Sequence, residues 1–145
     1  MKDKSIGPLQ DVQQAIKIVR QHFTEWNIDT EKVGIMGFSA GGHLASTAGT
    51  HFDSSFINNK EHVNLRPDFM ILIYPVISMT NKFVHAGSRD NLLGSNASVE
   101  KIIFFNLIKL FSCIAIAHSY YKAIIVVIRI LFVMLLFTNI TTFIF

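Results

Sequence analysis

The chain has a single cysteine, Cys113, among its 145 residues. An internal disulfide framework is therefore excluded. No cysteine and histidine cluster has the spacing of a zinc site, and no metal or organic cofactor is implied. Proline is scarce, with three residues, and glycine is confined: all eight glycines and all three prolines lie at or before Gly94. Charge is also sparse, at 16% of residues, for a formal net of +3. The excess is scattered through apolar sequence and forms no basic patch, which argues against a nucleic-acid partner. The basic opening, MKDKSIGPLQ, is not followed by an apolar run, so it does not read as a signal peptide.

The second absence is of acidic residues after Glu100. Residues 1–100 hold 9 basic and 10 acidic side chains, whereas residues 101–145 hold 4 basic and none acidic. The length suits one domain at most. Two stretches of such different composition were not shaped by one folding problem.

What is present begins with a helix. Leu9, Val12, Ala15, Ile16, Val19, Phe23 and Trp26 recur at three- and four-residue spacing and predict one apolar face over Leu9–Trp26. Pro8 suits its first turn. Gln10, Gln14, Lys17 and Gln21 are expected to face water, and Asn27 and Asp29 to end the helix. A helix at the very start has no strand before it to pack on, which predicts a missing front to the domain. Val33–Phe38 then reads as a short strand apolar on both faces, as in a parallel sheet covered by helices. A second apolar strand is expected over Phe69–Tyr74, introduced by Pro67-Asp68 and closed by Pro75. The mostly polar segment His51–Arg66 reads as a surface loop pinned by Phe52, Phe56 and Ile57. Strand, helix and strand at this spacing form a βαβ unit with parallel strands.

Between the first strand and the helix after it stands Gly37-Phe38-Ser39-Ala40-Gly41, a G-x-S-x-G pattern. A serine on a tight strand-to-helix turn has strained dihedrals that throw its hydroxyl outward. Gly37 and Gly41 have no Cβ to clash where the chain doubles back. The free amides of the helix that starts at Ala40, chiefly that of Ala40 itself, point at the reacting centre and can hold a developing oxyanion. Gly42 lets that helix approach the sheet. His43, one turn further on, is expected to pack beside the elbow as a hydrogen-bonded histidine and not to serve as the base. Residues 78–98 read as loop, leaving the carboxyl end of a strand, where open α/β sheets bind ligands. There Arg89 is expected to pair with a carboxylate and Asp90 to cap Leu92-Leu93.

The stretch DVQQAIKIVRQHFTEWNIDTEKVGIMGFSAGGHLAS resembles the acetyl-esterase/lipase-like branch of the α/β-hydrolase superfamily, in particular bacterial esterases of the acetylxylan-esterase and feruloyl-esterase-like type. The I-D-x-x-[KR]-[VI] lead-in at Ile28–Val33, G-F-S-A-G-G-H, D-F-x-x-L-x-Y-P at Asp68–Pro75 and HAGSRDNLLG at His85–Gly94 fall in family order. The resemblance covers roughly Gly7–Glu100. It implies a three-layer α/β/α fold with a mainly parallel sheet, of which residues 1–100 form part of a domain. It implies a carboxylic-ester hydrolase with a carbohydrate or small-molecule ester as substrate, short-acyl or acetyl. Ser39 would be the nucleophile, Ala40 N–H an oxyanion donor, and Gly37 and Gly41 the elbow glycines. The family also carries an H-G-G-G-like loop, an acid after a later strand, and a histidine in a G-x-H-G-like context. None of these has a match here. His85 and Asp90 follow the serine in the order Ser, His, Asp, whereas the fold uses Ser, Asp/Glu, His. His118 lacks the flanking glycines. The catalytic set is therefore incomplete, and little activity is expected of the chain alone.

From about Lys101 the family pattern stops, and residues 101–145 form an apolar tail with three readings. Ala123–Phe137 is apolar apart from Arg129, but a membrane span needs about 20 such residues, and Arg129 near its middle costs roughly 2.5–3.5 kcal/mol. On that reading the chain is a small membrane-associated protein anchored by its tail, with no enzymatic role. A frameshifted or wrongly extended coding end fits better the absence of acidic residues and glycine. An authentic pair of buried helices is the third.

Overall fold

A computed structural model describes residues 3–80, 82 and 84–107. Cys113, His118 and the apolar stretch Ala123–Phe137 lie outside the described residues. Six elements follow in order: α1 (Gly7–Gln21), β1 (Gly34–Phe38), α2 (Ala40–Thr50), β2 (Phe69–Ile73), α3 (Ala86–Leu93) and α4 (Val99–Phe104). The architecture is α/β, with two parallel strands flanked by helices. Gly34 pairs with Phe69 and the register runs without interruption to Phe38 opposite Ile73. α2 carries the crossover, packing on both strands and against α1. Leu9, Ile16, Val33, Ala45, Ala48 and Leu72 are the buried apolar residues of this unit.

The first helix is shorter than the periodicity predicts. It ends at Gln21 and continues as turns, with Trp26 N bonded to His22 O at 2.9 Å and Asn27 at φ 51°. Phe23 and Trp26, expected on the apolar face, are 49% and 47% exposed. The loss of helical register turns them outward, where the Trp26 ring stacks on His22 at 4.7 Å. Lys17, expected in water, is buried. The reason is a polar ridge along α1 that holds the crossover segment. Gln10 donates to Phe56 O, and Gln13 both donates to Ser54 O and accepts from Phe56 N. Lys17 donates to Asn58 O and pairs with Glu61. Arg20 donates to Arg66 O and to Asp68 Oδ2, each within 2.9 Å. Asp68 Oδ2 also accepts from Val33 N at 2.8 Å, and Asp68 N donates to Val33 O. The long loop is thus tied down chiefly by amides and charges. Phe52 adds a face for the Arg66 guanidinium, 5.1 Å from the ring centre.

The stretch read as loop over residues 78–98 contains α3. His85 caps it, Nδ1 accepting from Ser88 N, and Gly94 closes it at φ 89°. Asp90 is therefore inside a helix and does not cap Leu92-Leu93; its carboxylate takes Arg89 Nε at 2.9 Å. α4 runs across residue 100, anchored by a Lys101–Asp3 ion pair of 2.7 Å. Beyond it Phe105 and Leu107 are buried, Phe105 packing with Met79 and Leu93. Leu107 N donates to Ile77 O at 3.0 Å. Among the described residues no helix is long and apolar enough to cross a membrane.

Candidate active site

Ser39 is the single residue between the end of β1 and the start of α2. Its dihedrals are φ 49° and ψ −116°. A non-glycine residue with positive φ and this ψ is strained, and such strain persists only where the surroundings over-determine it. Three backbone hydrogen bonds do so here. Ser39 N donates to Ile73 O at 3.0 Å, which ties the turn to the last residue of β2. Ser39 O accepts from His43 N and from Val76 N, each at 3.1 Å. The side chain does not cap α2, and Ser39 and Ala40 are both exposed. Because the first intrahelical bond of α2 is that of His43 N, the amides of Ala40, Gly41 and Gly42 have no partner within the helix. They form the positive end of the helix dipole beside the serine.

The doubling-back is possible only with glycine at two points. A Cβ on Gly37 would fall on the Gly41 carbonyl. One on Gly42 would stand 2.9 Å from Pro75 Cβ and 3.1 Å from Gly37 O. Behind the elbow lies an apolar cavity of about 280 Å³, lined among others by Ala40, Gly41, His43, Val76, Met79 and Phe105.

His43 packs beside the elbow, as its position one turn into α2 predicts. It is buried, with Nδ1 2.8 Å from Val76 O. Burial holds its pKa below the ordinary value; the bond to Val76 O opposes this, and nearby His51 adds to it. His85 and Asp90 are not brought together as a pair. His85 Nδ1 is engaged with Ser88 Oγ at 2.9 Å, and Asp90 with Arg89. No imidazole among the described residues is hydrogen-bonded to the Ser39 hydroxyl; His43 meets Ser39 only through its backbone N–H, and His118 lies outside the described residues. Among the described residues no group of His, Cys, Asp and Glu could hold a metal ion. The pattern reading passed over Ile73 and Val76, whose backbone groups hold the serine. Pro75 was the available signal for a strand end there; the turn itself is taken at Tyr74, at φ 38°, between Ile73 and Pro75.

A parallel β-turn-α unit with a strained serine at the free end of a helix is the geometry of the α/β hydrolases. The BD-FAE family model matches residues 3–100, and the chain belongs to that family, whose members are α/β-hydrolase carbohydrate esterases. An acetylxylan esterase of Xylanibacter ruminicola is 47% identical over 92 residues, which is 63% of this chain and 17% of the relative. An endo-1,4-beta-xylanase B of Butyrivibrio fibrisolvens is 42% identical over 104 residues, 70% of this chain and 16% of the relative. The chain thus spans about a sixth of the length of these curated relatives. Among solved structures, an acetyl ester-xyloside bifunctional hydrolase from Caldicellulosiruptor lactoaceticus is 44% identical with a TM-score of 0.62, over 69% of this chain and 39% of that one. A bifunctional GH43-CE protein of Bacteroides eggerthii is 29% identical with a TM-score of 0.55, over 69% of this chain and 17% of that one.

Proposed function

We propose that the chain carries the nucleophile elbow of a serine esterase acting on short acyl esters of a carbohydrate, acetyl esters of a xylan-type sugar first among them. The observation that carries this reading is the strained φ of 49° at an exposed Ser39, directly against the unpartnered amides of α2. In the reaction, Ser39 Oγ attacks the ester carbonyl carbon and gives up its proton to a base. The carbonyl oxygen becomes an oxyanion held by Ala40 N–H. Collapse of the tetrahedral species breaks the bond to the sugar oxygen, which leaves as the alcohol with the proton returned from the base. Water then attacks the acyl-serine and releases the carboxylic acid and free Ser39. Gly37 and Gly42 let the turn close. The substrate class is supported by the printed activities of the acetylxylan esterase and the acetyl ester-xyloside hydrolase.

Among the described residues no side chain is hydrogen-bonded to the Ser39 hydroxyl as its base. An unassisted serine hydroxyl is a weak nucleophile, so the chain alone is expected to turn over esters at near-background rates. The test is covalent. An alkyl fluorophosphonate, followed by intact-mass and peptide analysis, is expected to add slowly and at Ser39 alone, with no adduct in Ser39→Ala. Adducts spread over other serines, or equal in the two proteins, would overturn the assignment. A short-chain aryl acetate measured in parallel is expected to be hydrolysed no faster by wild type than by Ser39→Ala.

A further inference from the structure

We propose that His43 is a positioning residue for Ser39, acting through the backbone of Val76. The observations form a closed circuit. A carbonyl oxygen can only accept, so the 2.8 Å contact between His43 Nδ1 and Val76 O requires the proton on Nδ1. The same Val76 donates its N–H to Ser39 O at 3.1 Å, and His43 N donates to that oxygen too, also at 3.1 Å. His43 therefore holds Ser39 twice, once through its own backbone and once through its ring and Val76. Both holds converge on the carbonyl of the residue whose ψ is −116° and whose φ is 49°. Fixing that peptide fixes the direction in which the serine side chain leaves the elbow.

The other ring nitrogen shows which of the two bonds the site retains. With the proton on Nδ1, Nε2 is a bare acceptor; it is buried and has no hydrogen-bond partner. An orphaned buried acceptor destabilises the fold. A histidine placed only to fill space would be better replaced by an apolar residue, and its presence is accounted for by the single bond from Nδ1. The Phe105 ring, its centre 6.1 Å from that of the imidazole, packs against this residue. Burial disfavours the charged ring, and the bond to Val76 O puts the proton of the neutral ring on Nδ1.

The proposal rests on the reading of Ser39 as nucleophile for its consequence, but the circuit can be tested apart from it. Asparagine places an amide NH2 where Nδ1 stands and keeps the bond to Val76 O. Glutamine places its amide near Nε2 and loses that bond. With the full chain and an alkyl fluorophosphonate, the maximal rate of Ser39 labelling is expected to stay within threefold of wild type in His43→Asn. In His43→Gln it is expected to fall at least tenfold, with the half-saturating probe concentration unchanged. Amide hydrogen exchange at Val76 is expected to speed up at least tenfold in His43→Gln and not in His43→Asn. Equal labelling and equal exchange in the two variants would overturn the proposal. If wild type and Ser39→Ala take up equal label, the nucleophile reading fails, and exchange at Val76 alone decides whether the circuit exists. Loss of native circular dichroism in both variants would also overturn it, because His43 would then serve the core as a whole.

Discussion

Gly37→Ala is the substitution for which the structure sets the clearest expectation. The added methyl would land on the Gly41 carbonyl and within 2.7 Å of Gly42 N. These are backbone atoms, so no side-chain rotation relieves the contact. An ordinary carbon contact needs about 3.5–4 Å, so the first turn of α2 must move by about 1 Å relative to β1. Overpacking of this kind costs typically 1–3 kcal/mol, and the upper half of that range applies where rigid backbone has to give. The same displacement carries the Ala40 amide away from the serine, and a misplacement of about 1 Å is worth on the order of a hundredfold in rate. Gly87→Ala is the matched control. Its Cβ would meet only His85 Cε1, at 3.7 Å, on the first turn of α3. Helix propensity there favours alanine by about 0.5–1 kcal/mol. Urea unfolding followed by circular dichroism, with fluorophosphonate labelling of Ser39 alongside, compares the two. Gly37→Ala is expected to lower the midpoint and to lose labelling, and Gly87→Ala to raise the midpoint slightly and label normally. A Gly37→Ala protein that unfolds and labels as wild type does would refute the claim that the elbow needs this close approach.

Three further outcomes are expected. Asp68→Ala strips the partner from Arg20, whose side chain is 7% exposed, and from Val33 N. Leaving a buried donor unpaired costs about 1–3 kcal/mol, and in a double-mutant cycle Arg20→Met with Asp68→Ala should cost clearly less than the sum of the single changes; strict additivity would show no coupling. Phe105→Ala empties a buried site beside Met79 and Leu93 and should cost about 3–5 kcal/mol. Truncation after Glu100 should destabilise at least as much, and an unchanged urea midpoint would mean that residues past 100 do not belong to the folded unit. The third concerns acid. His43 titrates in the fold below its ordinary value of 6.5 because it is buried, so the unfolded chain binds the proton more readily. Its contribution is whole above about pH 6.5 and is lost as the pH falls below that, with a slope of at most about 1.4 kcal/mol per pH unit. Unfolding between pH 7.5 and 5, above the carboxylate range, should show this slope in wild type and a flatter one in His43→Asn; equal slopes would remove His43 as the cause.

The parts of the fold that were legible in the sequence are those governed by local pattern. Val33–Phe38 and Phe69–Tyr74 are continuous apolar runs bounded by breakers, and they form the parallel pair within one residue at each end. The tight turn at Ser39 was legible because small residues at 37, 40, 41 and 42 suit a close strand-to-helix junction. α3 was not legible, because its cap is His85, a residue seldom used there, and its segment has no apolar face. Lys17 was misread for a related reason. Periodicity reports one face of a helix, whereas α1 uses two: an apolar stripe toward the sheet and a polar ridge toward residues 54–68. The second is invisible until the crossover loop is known to fold back over it. The helix end at Gln21 depends on the turn at Asn27 and on the His22–Trp26 stack, neither of which is a periodic signal.

The same division explains why the elbow is held by residues that no motif names. The pentapeptide permits a strained serine, since Gly37 and Gly42 allow the close approach, but permission does not hold a φ of 49° in place. That falls to Ile73 O, Val76 N and the imidazole behind Val76, all supplied by or aimed at the chain just after β2. Strain at a single residue costs of order 1–3 kcal/mol, and the three hydrogen bonds to the Ser39 peptide, at about 0.5–1.5 kcal/mol net each, are enough to offset it. Removing the strain by Ser39→Gly should therefore leave those bonds in place and stabilise the chain. Removing the bonds by a change behind Val76 should release the strain by letting the turn relax. The geometry at Ser39 thus depends on the register of β2 against β1 as much as on the G-x-S-x-G pattern. A shift of that pairing by one residue would carry Ile73 O and Val76 N away from Ser39 together.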